Sequence, residues 1–548
     1  MQHSYAWEAK YPSALKNYQL RLERLNGTMD RLAVEGAQKF GDKAAVTLVL
    51  PSGLSKDLSY RQIDKLSDDF AAFLANDLGL QPGDVLAIQL PNSLQYPIAI
   101  FGAWKAGLIL TNVNPLYTPR EVAYQLEDSG AKALVACDMF IKAIDEAGVL
   151  ASGIKVILAS MEEFLKPADQ VAYQYSPEGA ISFNHALQRG QELPRAVLVP
   201  QEVALYQYTG GTTGRSKGAI ITHENIGATL LIMSDFQAAY DNEMTEQDCI
   251  ITAIPLYHIF AFTINFLGFY YAGGQNLFIP SPRPLANLKP AFENFNVTWM
   301  TGVDTLYAGL LAEPWFAENP PKLKIAISGG TTLRPSTAER WNRSVCKLLE
   351  GFGMTESTCI ACCHPAQGEH RVGWVGVPVP GCEVRLVDDN GMDQPYGTPG
   401  ELILRGPNII SGYLNRPDEQ GVSFRDGWFY TGDIGVMDET GFFQIVDRKK
   451  DLVIVSGFNV YPNEIEAVLA EHPDVMEVAV IGVPDEQTGE AVRAVVASRN
   501  PALTAGDLIA YCRERLTGYK VPKQIVFMEQ LPKSTVGKIL RAELRKLI

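Results

Sequence analysis

Through the first 350 residues, short apolar runs of strand length alternate with longer segments whose apolar positions recur at helical spacing. The turn Pro82-Gly83-Asp84 leads into an apolar run, Val85 to Leu90, that predicts a strand, and Leu94 to Gly107 then reads as a helix. Thr118-Pro119-Arg120-Glu121 carries a capping box with proline in the first turn, so it predicts the start of another helix. Lys132 to Ala136, Val203 to Tyr208, Ile250 to Ile254 and Leu323 to Ser328 continue the series as strands. Such alternation predicts helix-covered, mainly parallel sheets.

The texture changes after about Arg371. Gly and Pro become frequent between short strands such as Glu383 to Val387 and Glu401 to Leu404, which predicts a β-rich subdomain. Beyond Asp447 the run Arg448-Lys449-Lys450-Asp451 is charged and lacks a helical pattern. The rest reads as a compact α+β unit with a helix from Pro462, strands near Val475 and Ala491, a helix from Thr504 and a basic tail. The fold class expected is therefore α/β, with a large N-terminal domain over residues 1–447, a hinge at 448–451 and a small mobile C-terminal domain over 452–548. A chain of 548 residues exceeds what one hydrophobic core supports, which agrees with that division.

Composition removes some functions. Apolar residues at 47% and charged residues at 20% are those of a globular enzyme. A formal net charge of -15 argues against nucleic acid as a partner, though a local phosphate site stays compatible with it. Met1 to Pro12 mixes charge with aromatics and does not read as a signal peptide. From Cys249 to Pro282 there is no Asp, Glu, Lys or Arg, as in a membrane span. Pro255, His258, Asn265, Gly273 and Gly274 interrupt that stretch, so strand, loop and buried helix fit it better. Cys359, Cys362, Cys363, His364 and His370 cluster, but no second ligand pair follows at zinc spacing. Small buried thiols in a reduced cytoplasm are the simpler reading.

The most informative segment is Tyr208-Thr209-Gly210-Gly211-Thr212-Thr213-Gly214-Arg215-Ser216-Lys217-Gly218. Its glycines let backbone amides turn inward, threonines supply hydroxyls and Lys217 supplies a cation, as a polyphosphate requires. Taken alone, such a loop is equally a flexible connection. Gly214 to Gly218 also matches a serine-nucleophile pattern, but that elbow needs a helix directly after the serine, and Ala219 to Thr222 reads as a strand. Further along, Gly351-Phe352-Gly353-Met354-Thr355-Glu356 places a carboxylate beyond a flexible turn, which suits Mg²⁺ carried by a nucleotide. Tyr430-Thr431-Gly432-Asp433 puts a second carboxylate where it can take both hydroxyls of a ribose. Lys533-Ser534-Thr535-Val536-Gly537-Lys538 presents a lysine near the C-terminus.

In this order, and over about Tyr60 to Arg541, these segments closely resemble the acyl-adenylate-forming superfamily. Within it the chain looks most like bacterial long-chain fatty acyl-CoA synthetases. Asp426 to Gly435, Asp447 to Asp451, Ser456 to Pro462 and Pro255-Leu256-Tyr257-His258-Ile259-Phe260 carry that likeness. Phe429-Tyr430 departs from it, since that subgroup more often has leucine and histidine there.

The resemblance implies a fatty acid, ATP and coenzyme A as small-molecule substrates, with Mg²⁺. Tyr208, Thr209, Gly210, Gly211, Thr212, Thr213, Gly214 and Lys217 would hold the ATP phosphates, with Thr209 and Glu356 nearest the metal. Asp433 and Arg448 would hold the ribose. Gly330, Gly351, Phe352, Gly353 and Thr355 would flank the adenine and the acyl carbonyl. Lys538 would bridge the carboxylate and the α-phosphate, then leave by rotation about Lys450, and Gly457 would let the pantetheine chain pass. His258, with Phe260 and Phe262, is a candidate for the mouth of the acyl pocket, against the alternative of a core histidine capped by a neighbour. At ~0.8 kcal/mol per buried methylene, tunnel length should set specificity.

A carrier protein in place of coenzyme A, a medium-chain or aromatic acid, and a non-catalytic sensor are the alternatives that stay open here. Keeping both Glu356 and Lys538 favours an enzyme over a sensor. The resemblance also leaves room for a peripheral contact with the inner face of the membrane, for a cytoplasmic location and for a homodimer.

Overall fold

A computed structural model describes residues 5–25, 27–188, 198–209, 216–534 and 537–547, without the side chain of Ser152. Two large sheets dominate it. One has seven strands, ordered Ile181–Ser182, Lys155–Ala159, Ala131–Cys137, Val85–Gln89, Ile109–Asn112, Val203–Thr209 and Lys217–Thr222. Its pairs are parallel except the last, which is antiparallel. The other has nine strands, and a run of parallel pairs joins Leu348–Phe352, Ile325–Ser328, Trp299–Gly302, Cys249–Thr252, Gln275–Phe278 and Ala44–Val49. The expected helix-covered, mainly parallel architecture is present.

Sequence explains where the helices lie. All eleven residues of helix Gln95–Lys105 are buried, as a helix apolar on every face must be. Gly102 lets it lie against the preceding helix, Tyr60–Ala72, because a Cβ there would stand 2.7 Å from Phe70 Cδ1. Its terminal Lys105 is buried as well, and Asp64 and Asp68 offset the cost of burying that charge at 2.6 and 2.8 Å. Thr118 and Glu121 form the expected capping box at the start of Pro119–Ser129. One core cluster runs through both sheets and includes Ile88, Phe101, Trp104, Ile250 and Phe262.

The charge-free stretch after Cys249 becomes strand Cys249–Thr252, a tight turn, the wide π-type helix Ala261–Gly268, the short helix Phe269–Ala272 and strand Gln275–Phe278. Among the described residues no helix is long and apolar enough to cross a membrane. After Ser216 comes strand Lys217–Thr222, so the helix that a nucleophile elbow needs is missing.

The β-rich part is a five-stranded sheet built from Glu383–Val387, Gly400–Arg405, Trp428–Met437, Phe424–Arg425 and Phe443–Arg448. The C-terminal residues make a separate sheet of Val453–Val455, Phe458–Val460, Val475–Asp485, Gly489–Ser498 and Gln524–Phe527. Helices Pro462–Ala470 and Ala505–Arg513 cover it, around a core of their own that includes Val455, Ile465, Val480, Val496 and Leu508.

Candidate active site

The site is built where the β-rich sheet, the two large sheets and the C-terminal unit meet. Asp433 lies on Trp428–Met437 directly opposite Arg448 on the antiparallel Phe443–Arg448. That register brings the Arg448 Nε to 2.8 Å from the Asp433 Oδ1. Burial pushes the Asp433 carboxyl above the usual carboxylate range, and the charges of Arg448 and Lys538 pull it back. Beside the pair lies a recess of about 310 Å³ lined by Thr431, Gly432, Arg448, Lys449 and Lys450.

Lys538 reaches this place from the C-terminal unit. Its turn is held internally: the Ser534 amide donates to the Lys538 carbonyl at 2.7 Å, and the Gly537 amide donates to the Ser534 carbonyl at 2.9 Å. Gly537 adopts φ +83°, and a Cβ there would stand 2.8 Å from Thr305 Oγ1 of the N-terminal part. Glycine is thus needed twice, for conformation and for close approach. Enclosure lowers the Lys538 ammonium to about 8, with Arg448 adding to the shift and Asp433 opposing it.

His258 sits in the turn between Cys249–Thr252 and the π-type helix, where its own amide donates to the Pro255 carbonyl at 3.0 Å. The Phe260 amide donates to His258 Nδ1 at 3.2 Å, so the neutral ring carries its proton on Nε2. Burial, and secondarily the Lys538 charge, lower its pKa to about 4 and keep it neutral at physiological pH. Two groups far apart in sequence therefore share one environment: a cation and a neutral imidazole donor.

Glu356 stands in the turn Thr355–Ser357, just after strand Leu348–Phe352. Tyr413 donates its hydroxyl to Glu356 Oε1 at 2.7 Å. Burial raises the Glu356 pKa and the Tyr413 bond lowers it. Lys217 lies 5.3 Å from the Tyr413 ring centroid and pairs with Glu419. Tyr413 thus ties the carboxylate to the stem of the glycine-threonine loop.

Both stems of that loop are braced. Tyr208 donates to Asp128 at 2.7 Å, Tyr124 donates to the Ser216 carbonyl at 2.9 Å, and Ser216 Oγ donates to the Thr209 carbonyl. Gly210, Gly211, Thr212, Thr213 and Gly214 lie outside the described residues.

The remaining sequence candidates divide. Gly351 and Phe352 end strand Leu348–Phe352, and Gly353 follows with no room for a side chain, since a Cβ would lie 1.7 Å from the Cys359 carbonyl oxygen. Gly330 has φ +78° with open space around it, and its neighbour Gly329 packs on Phe260. Gly457 does not join the cluster; it is exposed at the tip of the Val453–Val455/Phe458–Val460 hairpin with φ +84°. Lys450 is exposed in the link, whose neighbour Lys449 is anchored to Asp389 at 2.7 Å and Glu401 at 3.0 Å.

Tyr413 and Arg541 were missed by sequence reasoning. Arg541 pairs with Glu466 at 2.7 Å, donates to Asn463 and reaches Asp451 at 3.5 Å, thereby pinning the last helix to the link. Their only signal is long-range pairing, which a single sequence does not display. Among the described residues no group of three His, Cys, Asp or Glu could hold a metal ion, the Cys359–His370 cluster included.

Chemically, the arrangement offers a cation whose charge reaches both a neutral imidazole, His258, and the Asp433–Arg448 carboxylate–guanidinium pair. Such groups stabilise developing negative charge and hold a polyhydroxylated ligand.

Two family models match. The "AMP-binding enzyme" model covers residues 34–414, and the "AMP-binding enzyme C-terminal domain" model covers 464–538. A long-chain-fatty-acid–CoA ligase of Escherichia coli O6:H1 is 41% identical over 98% of this chain and 97% of its own length. Among solved structures, ATP-bound MatB from Rhodopseudomonas palustris superposes with a TM-score of 0.83 at 30% identity, over 94% of this chain and 98% of that one. MenE from Bacillus subtilis, an O-succinylbenzoate coenzyme A synthetase in complex with ATP and magnesium ion, gives 0.79 at 25% identity, over 94% and 99%.

Proposed function

This chain belongs to the AMP-binding enzyme family, and we propose that it converts a long-chain fatty acid to its coenzyme A thioester through an acyl-adenylate. The observation that supports the reading is the Asp433–Arg448 pair under the charge of Lys538, which also reaches His258, together with a carboxylate, Glu356, tied through Tyr413 to the stem of the glycine-threonine loop.

In the first half-reaction a carboxylate oxygen attacks the α-phosphorus of ATP, forming a P–O bond as the bond to pyrophosphate breaks. Two anions must meet, so the barrier falls when their charge is neutralised and the attack is held in line. Lys538 supplies the positive charge between them, and the His258 Nε2–H donates to an oxygen of the reacting carboxylate or phosphate. Asp433 takes the ribose hydroxyls while Arg448 holds its carboxylate in place. Gly330 and the Gly351-Phe352-Gly353 strip form the adenine platform, with Thr355 at its edge.

The Thr209 hydroxyl and the Glu356 carboxylate are hard oxygen donors and fit Mg²⁺. Bound with the nucleotide, the metal neutralises phosphate charge. Lys217 is the further cation for the phosphates, and it must exchange Glu419 for them.

In the second half-reaction the coenzyme A thiol attacks the acyl carbonyl: the C–S bond forms as the acyl C–O bond to AMP breaks, AMP leaves and the thiol proton passes to solvent. Residues 452–548 act as a cap that turns about Lys450, withdrawing Lys538 and bringing Gly457 to the pantetheine path. The exposed hairpin tip at Gly457 supports this, since its positive φ and free surroundings suit close approach of a ligand.

Pyrophosphate release over acids from acetate to oleate, with and without coenzyme A, tests the reading. Turnover rising with chain length and requiring coenzyme A is expected. A preference for short or aromatic acids would overturn the long-chain assignment.

A further inference from the structure

Two enclosed amide side chains grip the turn that carries His258, and they come from different strands. Asn92 follows strand Val85–Gln89 of the seven-stranded sheet. Its Nδ2 donates to the carbonyls of Thr252, Ile254 and Ile279 at 3.0, 3.1 and 3.1 Å, all on the nine-stranded sheet or its exits. Its Oδ1 accepts from the Leu256 amide at 2.7 Å. Its two N–H bonds face three carbonyls, so one hydrogen is shared, and the opposite orientation would set an oxygen against all three.

Gln207 lies on strand Val203–Thr209, two residues before Thr209. Its Nε2 donates to the Tyr257 carbonyl at 3.0 Å, and its Oε1 accepts from Asn112 Nδ2 at 3.1 Å. Asn112 in turn accepts from the Tyr96 hydroxyl at 2.8 Å. Asn92, Gln207, Asn112 and Tyr96 are all at most 4% exposed. Leu256 and Tyr257, the two residues before His258, are thus each bonded to a buried amide. One of those amides belongs to the strand that enters the glycine-threonine loop.

We infer that Asn92 and Gln207 are positioning residues for His258, and that Gln207 sets how the imidazole turn sits against Thr209, at the end of Gln207's own strand. The inference rests on the proposed adenylation role of His258. The half-buried Tyr257 carbonyl, on losing its donor, turns toward another partner, and the turn moves with it. A shift of about 1 Å in a reacting group costs on the order of 10²-fold in rate.

The test is a double-mutant cycle of Gln207→Leu with His258→Ala, read as pyrophosphate release with saturating acid and ATP. Gln207→Leu alone should lower kcat on the order of 10²-fold. In the His258→Ala background it should have almost no further effect, because the group it acts through is gone. Losses that multiply across the two sites would overturn the inference, since general structural damage does not depend on His258.

Should Gln207→Leu fail to fold, Gln207→Glu carries the test through its pH response. A protonated carboxyl restores the donor to the Tyr257 carbonyl, so activity should recover as pH falls, and only when His258 is present. A flat pH response would count against the role. Wild-type enzyme that releases no pyrophosphate defeats the proposed function itself, whereas active wild type with multiplicative losses defeats this inference alone.

Discussion

The charge of Lys538 reaches His258, yet the turns that carry the two residues are held in opposite ways. The His258 turn is wired into the core by Asn92 and Gln207, and its polar partners come from residues distant in sequence. The Lys538 turn is held mainly by its own hydrogen bonds, and it meets the N-terminal part by close approach of Gly537 to Thr305. Arg541, three residues on, is bonded to Glu466 and Asn463 of the same C-terminal unit. On the proposed function, a preformed imidazole and a delivered ammonium differ as a fixed jaw does from a moving one. The difference locates where a conformational switch can act without disturbing the core.

On the proposed account this comparison breaks most visibly at the delivered cation. Lys538→Ala should lower adenylate formation about 10²–10³-fold while sparing thioester formation from supplied acyl-adenylate. Equal loss of both steps, measured separately, would contradict the moving-jaw role.

Lys450→Pro should show the converse, because proline removes backbone freedom at the link. Thioester formation should fall at least about tenfold, the effect of ~1.4 kcal/mol on a barrier, with pyrophosphate release little changed. An unaffected second step would remove the hinge.

Gly537→Ala is expected to be milder. Positive φ and the Thr305 contact together should cost roughly 1–3 kcal/mol of docking, read as a roughly tenfold or greater drop in adenylation with an unchanged melting temperature. A fall in melting temperature instead would place Gly537 in the folding core.

The smallest effect is on pH dependence. Lys538 titrates at about 8 and must be charged to act, so kcat/KM for pyrophosphate release should be full below that value and fall as pH rises through it. His258, held at about 4, adds no limb in that range. Lys538→Arg should move the alkaline limb out of reach, and an unmoved limb would assign it elsewhere.

Much of the proposed site was legible in the sequence because its motifs are local. Asp433, Arg448, Glu356 and Lys538 each sit in a short segment whose glycines and charges announce a turn. The fold class followed from alternating periodicity, and strand and helix ends differed by only a few residues, as at Ile250 to Ile254 against Cys249–Thr252. What did not show was pairing across distance. Asn92 bonds Leu256 across 164 residues, and Tyr413 bonds Glu356 across 57. Neither carries a local pattern, since a buried Asn or Tyr gives the same signal as an ordinary turn or core residue. The π-type helix Ala261–Gly268 was equally hidden, for a run buried on every face has no phase from which to read its pitch.

The central claim is that the preformed and the delivered groups together join a carboxylate to AMP. Purified protein mixed with ATP, Mg²⁺ and oleate but no coenzyme A should release about one pyrophosphate per enzyme in a burst and retain oleoyl-AMP, identified by mass after quenching. Pyrophosphate without the mixed anhydride, or neither product, would contradict it.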